Sequence, residues 1–234
     1  MIENYKKEHK DSYTMGVFPT IELLQNKHKS VKKVYISSRA GKNRGVSKIL
    51  ELTKLYKIPC EIDTNQINKM SPKENTLAVG IFDKFESPIE QNKNHLVLVN
   101  PQDMGNIGTI MRTMLAFGFN DIAIIRPAVD VFHPKAVRAS MGAVFQVNFS
   151  YFNDFEEYAN KYTNNLYLFT KTANTFVEKQ AFTTPFSLVF GNEADGLPTN
   201  LLRFGTLVKL RQNNKVDSLN ISVAACIAMY ESTK

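Results

Sequence analysis

The chain has 234 residues, 43% hydrophobic and 22% charged, with a formal net charge of +7, the balance of a soluble globular protein with room for one large domain or two small ones. No apolar run approaches the about 18 residues of a membrane span, and residues 1–8 are charged from the start and carry acids, unlike a secretory leader or a mitochondrial presequence. Cys60 and Cys226 have neither a Cys-x-x-Cys spacing nor a neighbouring histidine and read as buried free thiols of a reducing cytoplasm. His9, His28, His95 and His133 are scattered without ligand spacing, which argues against a metal site.

In chain order, residues 1–14 alternate charge and polarity without an apolar period, and a flexible arm is expected. Val17, Ile21 and Leu24 then mark one face of a short helix, residues 33–37 a strand, and Val46, Ile49, Leu52 and Tyr56 a second helix that stops before Pro59. A short strand at 60–62, a polar helix or turn near 66–70 and a strand at 76–82 complete a small α/β unit over residues 15–86. Residues 87–94, polar and holding Pro88, read as a linker. Beyond it, residues 95–99 predict a buried strand, and Ile107, Ile110, Met111 and Met114 recur at helical spacing, with Arg112 off that stripe. Helices over 134–140, 154–162 and 218–230 and strands near 121–126, 166–170, 187–190 and 206–210 predict a largely parallel sheet in a second domain, residues 95–234. Nothing repeats at a fixed period.

Charge divides unevenly: residues 1–94 carry +6 and residues 95–234 carry +1. A basic lobe beside a nearly neutral one suggests that one part captures a polyanion while the other does chemistry. Lys32, Lys33, Arg39, Lys42 and Arg44 bracket one strand as a candidate RNA-binding rim. The loop Arg39-Ala40-Gly41-Lys42-Asn43-Arg44-Gly45 is its centre, because glycines let backbone approach phosphates and arginines grip them bidentately.

Three segments of the second domain place polar residues at the ends of apolar runs. They are Asn100-Pro101-Gln102-Asp103-Met104-Gly105-Asn106-Ile107-Gly108 continuing to Arg112, Phe190-Gly191-Asn192-Glu193-Ala194-Asp195-Gly196, and Leu210-Arg211-Gln212 followed by Asp217-Ser218-Leu219-Asn220. Each has an ordinary reading by itself. Gly191 can supply a positive φ at a strand exit, Ser218 can cap the last helix, and Arg112 can be a solvated helix arginine. A nicotinamide-binding turn at Gly105-Asn106-Ile107-Gly108 lacks the third glycine and the acid after the next strand.

As an ordered triplet, with Arg138-Ala139-Ser140-Met141-Gly142-Ala143 between the first two, the segments resemble the SpoU (TrmH-like) family of RNA ribose 2′-O-methyltransferases. The resemblance implies S-adenosylmethionine as cofactor, an α/β fold with a SPOUT-type parallel sheet and a trefoil knot, and a homodimer with its site between subunits. It also implies a preceding RNA-binding domain similar to certain ribosomal proteins. Asn106, Arg112, Glu193, Ser218 and Asn220 match its catalytic positions, and Gly191, Leu210 and Leu219 its cofactor-contacting backbone. An arginine gives up its proton at pH 7 only at a cost of about 8 kcal/mol, so Arg112 is expected to clamp phosphate and stabilise the forming alkoxide rather than act as base. Asn106 and Asn220 would orient the ribose or fix Arg112, and Glu193 and Ser218 would hold the site together. The chain departs from the family where Leu210-Arg211-Gln212 replaces Ile-Pro-Met and where Met104, Met114 and Leu115 replace Pro, Ala and Asp, which bears on cofactor affinity. Ribosomal RNA is the favoured substrate. Transfer RNA, or a non-catalytic RNA-binding module that keeps the fold, is the alternative.

Overall fold

The computed structural model describes residues 5–71, 75–213 and 215–234. The chain forms two compact units, one made of residues up to Phe85 together with Asp130–Gln146, the other of Glu86–Val129 and Val147–Lys234. The first unit runs through β1 (Asp11–Tyr13), α1 (Val17–Lys27), β2 (Val31–Ile36), α2 (Arg44–Leu55), β3 (Cys60–Ile62), α3 (Thr64–Met70) and β4 (Ala78–Asp83). The chain enters the second with β5 (His95–Val99), α4 (Met104–Ala116) and β6 (Asp121–Ile125), and returns to the first for α5 (Pro134–Ala139). It completes the second with β7 (Asn148–Phe152), α6 (Phe155–Lys161), β8 (Asn165–Phe169), β9 (Thr175–Phe176), β10 (Phe186–Phe190), β11 (Thr206–Lys209) and α7 (Ile221–Ser232).

In the first unit the sheet order is β1-β4-β2-β3, with β2 and β3 parallel and the other pairs antiparallel. Alternation along the strands sends Val34, Ile36 and Ala78 against Leu24, Val46, Ile49 and Leu52 of α1 and α2. Val79 and Ile81 face the opposite way, onto Ile67 and Met70 of α3. Residues 11–13, expected within a flexible arm, instead form β1, because Tyr13 has an apolar slot beside Met15 and Val79. The excursion 130–146 belongs to this unit although the sequence reading assigned it to the second domain. Lys84 pairs with Asp130 at 2.9 Å and Gln146 Nε2 donates to Glu22 at 2.8 Å. Gly142 makes the approach possible: its φ is +90°, and a Cβ there would lie 2.5 Å from that of Glu22.

The second unit is a seven-stranded sheet ordered β7-β6-β5-β10-β8-β11-β9, and every neighbouring pair is parallel. β5, β6 and β10 are buried along their whole length, as unbroken apolar runs in a two-sided sheet must be. Val97, Val99, Ala123, Ile125 and Val189 line one face with Phe155, Tyr158 and Tyr162. α4 and α7 pack together, and α7 also touches β10. β7 and β9 were not anticipated in the sequence: β9 has only two residues, and β7 places Asn148 and Ser150 among its aromatic residues. No helix among the described residues is long and apolar enough to cross a membrane.

Candidate active site

In a parallel sheet all strands end at one edge, so the loops that follow adjacent strands meet. After β5, Asn100 takes a left-handed φ of 54°, and Asp103 Oδ1 caps α4 by accepting from the Asn106 amide at 2.7 Å. After the neighbouring β10, Asn192 and Gly196 exchange backbone hydrogen bonds at 3.1 and 3.0 Å. Asn192 Nδ2 donates to the Asn100 carbonyl at 2.8 Å and ties the two strand exits together. Gly191 is needed for close approach, not for the positive φ expected of it: a Cβ would lie 2.0 Å from the Gly196 carbonyl carbon and 2.2 Å from the Leu197 nitrogen. The left-handed residue of this turn is Gly196, with φ 70°.

Glu193 is drawn onto the start of α4. Its carboxylate accepts from the backbone amides of Gln102 at 3.2 Å and Asp103 at 3.3 Å, and from Asn106 Nδ2 at 3.3 Å. Asn220 Nδ2 donates to Asn106 Oδ1 at 2.9 Å, while Asn220 Oδ1 accepts from the Ser222 amide at 2.8 Å and so caps α7. One directed chain, Asn220 to Asn106 to Glu193, joins the three sequence segments. These residues line an open cavity of about 530 Å³ with Gln102, Asp103, Asn192 and Ala194, a size suited to a small-molecule ligand. Each asparagine keeps one N–H in excess of those bonds and the carboxylate keeps free lone pairs. The cavity therefore offers donors and an acceptor to hydroxyl or phosphate groups.

Arg112 and Ser218 stand outside this network. Arg112 lies about 9 Å further along α4 than Asn106 and about 240° around it. It is exposed, without a hydrogen bond or ion pair to any described residue. The expectation that the asparagines fix Arg112 is corrected within the chain, since they bond each other and Glu193. Ser218, also exposed, is not the helix cap; Asn220 takes that place. Leu210 and Leu219 are half-buried, and outside ladders and helices their backbone groups make no hydrogen bond with a described residue. Gly191 is buried. A cavity of this size with amide and carboxylate groups in its wall fits S-adenosylmethionine, while Gly191, Leu210 and Leu219 are not among the residues that line it.

Of the sequence-predicted basic rim, Lys32 binds Asp83 at 2.7 Å and Asp11 at 3.5 Å, and Lys33 binds Glu61 at 2.8 Å. Their ammonium groups are held above the usual lysine range chiefly by the Asp83 and Glu61 hydrogen bonds. Arg39 donates to Asn68 at 3.1 Å and stays exposed. Lys42 and Arg44 are exposed and unpaired among the described residues. The sequence reading missed Gln102, Asp103 and Asn192. Asp103 had a signal, its cap spacing of three before Asn106; the anchoring of Glu193 on amides 90 positions away had none. Among the described residues no group of three or more His, Cys, Asp or Glu could hold a metal ion.

Residues 93–230 match the model of the SpoU rRNA Methylase family. That span exceeds half of the chain, and the chain belongs to this family. A ribosomal RNA small subunit methyltransferase G of Syntrophobacter fumaroxidans is 34% identical over 135 residues, covering 57% of this chain and 26% of that protein. The chain thus spans about a quarter of that relative's length. A Synechocystis protein named as a tRNA (cytidine(34)-2′-O)-methyltransferase is 30% identical over 143 residues, 58% of this chain and 93% of its own. The structure of an rRNA methyltransferase from Sinorhizobium meliloti, described as AdoMet-bound, superposes with a TM-score of 0.81 at 24% identity, over 95% of this chain and 87% of that one.

Proposed function

We propose that this protein methylates a ribose 2′-hydroxyl in structured RNA, ribosomal RNA in particular, and that it works as a homodimer. The observation that carries the reading is the Asn220–Asn106–Glu193 chain, which gathers three distant segments around one open cavity. Gly191, Leu210 and Leu219 would hold S-adenosylmethionine through backbone groups. When bound, that cofactor supplies an electrophilic methyl on a sulfonium. Asn106 and Asn220 orient the ribose with their spare N–H donors, and Glu193 fixes the start of α4 while accepting from a hydroxyl. Ser218 shapes the loop before α7. Arg112 grips the phosphate next to the target and stabilises the developing negative charge on the 2′-oxygen, and positioning of the two reactants accounts for much of the rate.

Support for ribosomal RNA comes from length. The relative named for a tRNA position matches 58% of this chain and nearly all of its own, so about four tenths of this chain, a length close to that of the first unit, has no counterpart in it. That unit supplies exposed cations at Arg39, Lys42 and Arg44 for RNA capture. Support for the homodimer comes from α7, where Val223, Ile227 and Tyr230 are 46%, 37% and 50% exposed at spacings of four and three, an apolar stripe fit for a second copy. A trefoil knot is supported by β10, which inserts between β5 and β8 although β8 precedes it.

Mapping 2′-O-methyl groups in ribosomal and transfer RNA from cells with and without the gene tests the substrate. One ribosomal position should lose its methyl; loss confined to a tRNA would move the assignment there, and no loss with no donor binding would leave a non-catalytic module.

A further inference from the structure

The loop from β11 to α7 carries Leu210, Ser218, Leu219 and Asn220, and its two ends are held differently. At the far end Asn220 caps α7 and binds Asn106. At the near end β11 pairs with β9 so that Lys209 lies opposite Phe176. Side chains two apart along an extended chain share a face, which brings both Lys209 and Arg211 to that ring. Lys209 Nζ sits 4.6 Å and Arg211 Cζ 4.5 Å from its centroid, within cation–π range. Arg211 Nε also donates to Glu178 Oε1 at 3.3 Å, just past Phe176 in the chain. Gln212 Nε2 closes the loop across its base by donating to the Asp217 carbonyl at 3.4 Å.

We propose that Arg211 is a positioning residue for the donor site: seated on Phe176 and bonded to Glu178, it fixes the first turn of the loop whose Leu210 and Leu219 backbone is to contact S-adenosylmethionine. The inference rests on the function proposed above. Its physical content is preorganisation. A proline in this position would limit φ through its ring; Arg211 has no such constraint, and two side-chain contacts on an edge strand replace it. A loop already ordered before the ligand arrives loses less conformational freedom on binding.

The test compares wild type with Arg211→Ala, Arg211→Lys, Phe176→Leu and the Arg211→Ala/Phe176→Leu double variant. Readouts are S-adenosylmethionine affinity by calorimetry, amide exchange of the loop in protein without donor, and melting temperature. Arg211→Ala should raise the dissociation constant by about three- to tenfold and speed exchange of the loop's Lys215 amide, which donates to Asn213 Oδ1 at 3.0 Å, with melting shifted by no more than about 2 °C. Arg211→Lys should recover part of the affinity, because the cation over the ring survives while the planar fork is lost. The double variant should lose less than the sum of the two single losses, since both changes break the Arg211–Phe176 contact. Wild-type affinity and exchange in Arg211→Ala would overturn the proposal, as would fully additive losses in the double variant. If wild type itself takes up no S-adenosylmethionine, the proposed function falls, and exchange without donor still decides whether Arg211 orders the loop.

Discussion

β5 and β10 run side by side and carry a polar network at each end, and the two networks are built on opposite terms. Where the strands begin, His95 and Ser187 are opposite one another and wholly buried. His95 Nε2 is 2.8 Å from the Glu90 carbonyl, which can only accept, so the proton sits on Nε2 and Nδ1 must accept from Tyr158 at 2.8 Å. The Tyr158 oxygen then accepts from Ser187 at 2.6 Å, and Ser187 accepts from Asn164 Nδ2 at 3.0 Å. Every donor in that line has its acceptor. Where the strands end, Asn106, Glu193 and Asn220 are also bonded in a line, but at the surface of a cavity and with donors and lone pairs to spare. A satisfied buried network fixes the fold, whereas an open network of similar chemistry remains available to a ligand.

The comparison breaks most sharply under substitution at the open end. Glu193→Ala should lower methyl transfer by about 10²–10³-fold, because the Asn106 amide loses its partner at the cavity wall, while thermal stability changes little. Arg112→Ala should cost as much in transfer yet leave S-adenosylmethionine affinity unchanged, since that guanidinium is proposed to address RNA. Wild-type turnover from either variant, in a tritiated-methyl transfer assay, would remove that residue from the mechanism.

At the closed end the effects should appear in stability alone. Tyr158→Phe deletes the hydroxyl that serves both His95 and Ser187, and a loss of about 1–3 kcal/mol is expected in urea unfolding. Transfer per folded molecule should be unaltered. An unchanged unfolding midpoint would mean that water or a neighbour replaces the hydroxyl.

Proton uptake sharpens the same contrast. Burial pushes the His95 imidazole below its ordinary value, outweighing the Glu90 hydrogen bond and Asp121 that favour its charge. The unfolded chain takes up a proton as pH falls through about 6.5, whereas the folded chain resists until lower pH. Stability is therefore complete above that value and is lost as pH falls below it. His133 in the other unit is lowered as well, by burial and then by Lys135, so the measurement is made in parallel with His133→Gln. Unfolding midpoints equal at pH 8 and pH 5.5 in both proteins would show that His95 does not couple folding to pH.

The sequence made the inner strands legible because a two-sided parallel sheet demands apolar runs, as at residues 96–99 and 122–125. It also singled out Asn106, Glu193 and Asn220, through the resemblance of their three segments to the SpoU family. It was silent on the excursion of 130–146 into the first unit, which depends on Gly142 meeting Glu22 across the fold. It was equally silent on Phe176, whose importance comes from pairing with a strand over thirty positions away. Ser218 and Asn220 compete for one cap, and two residues of spacing decided which amide reached the site.

The same division between satisfied and open groups sorts the basic residues of the first unit, and it yields the smallest effect expected. Lys32 and Lys33 are spent on Asp83, Asp11 and Glu61 within their own sheet, whereas Lys42 and Arg44 face solvent at the start of α2 and Arg39 leans only on neutral partners. A cation already neutralised within the protein releases few counterions when RNA binds. Replacing Arg39, Lys42 and Arg44 by alanine should therefore flatten the dependence of log affinity on log salt by about 0.7–0.9 per lost phosphate contact. Replacing Lys32 and Lys33 should flatten it by less, and donor affinity should stay constant in both. Equal slopes for the two sets would show that internal pairing does not withhold a lysine from RNA, and an unaltered slope for the first set would move RNA capture to the second unit.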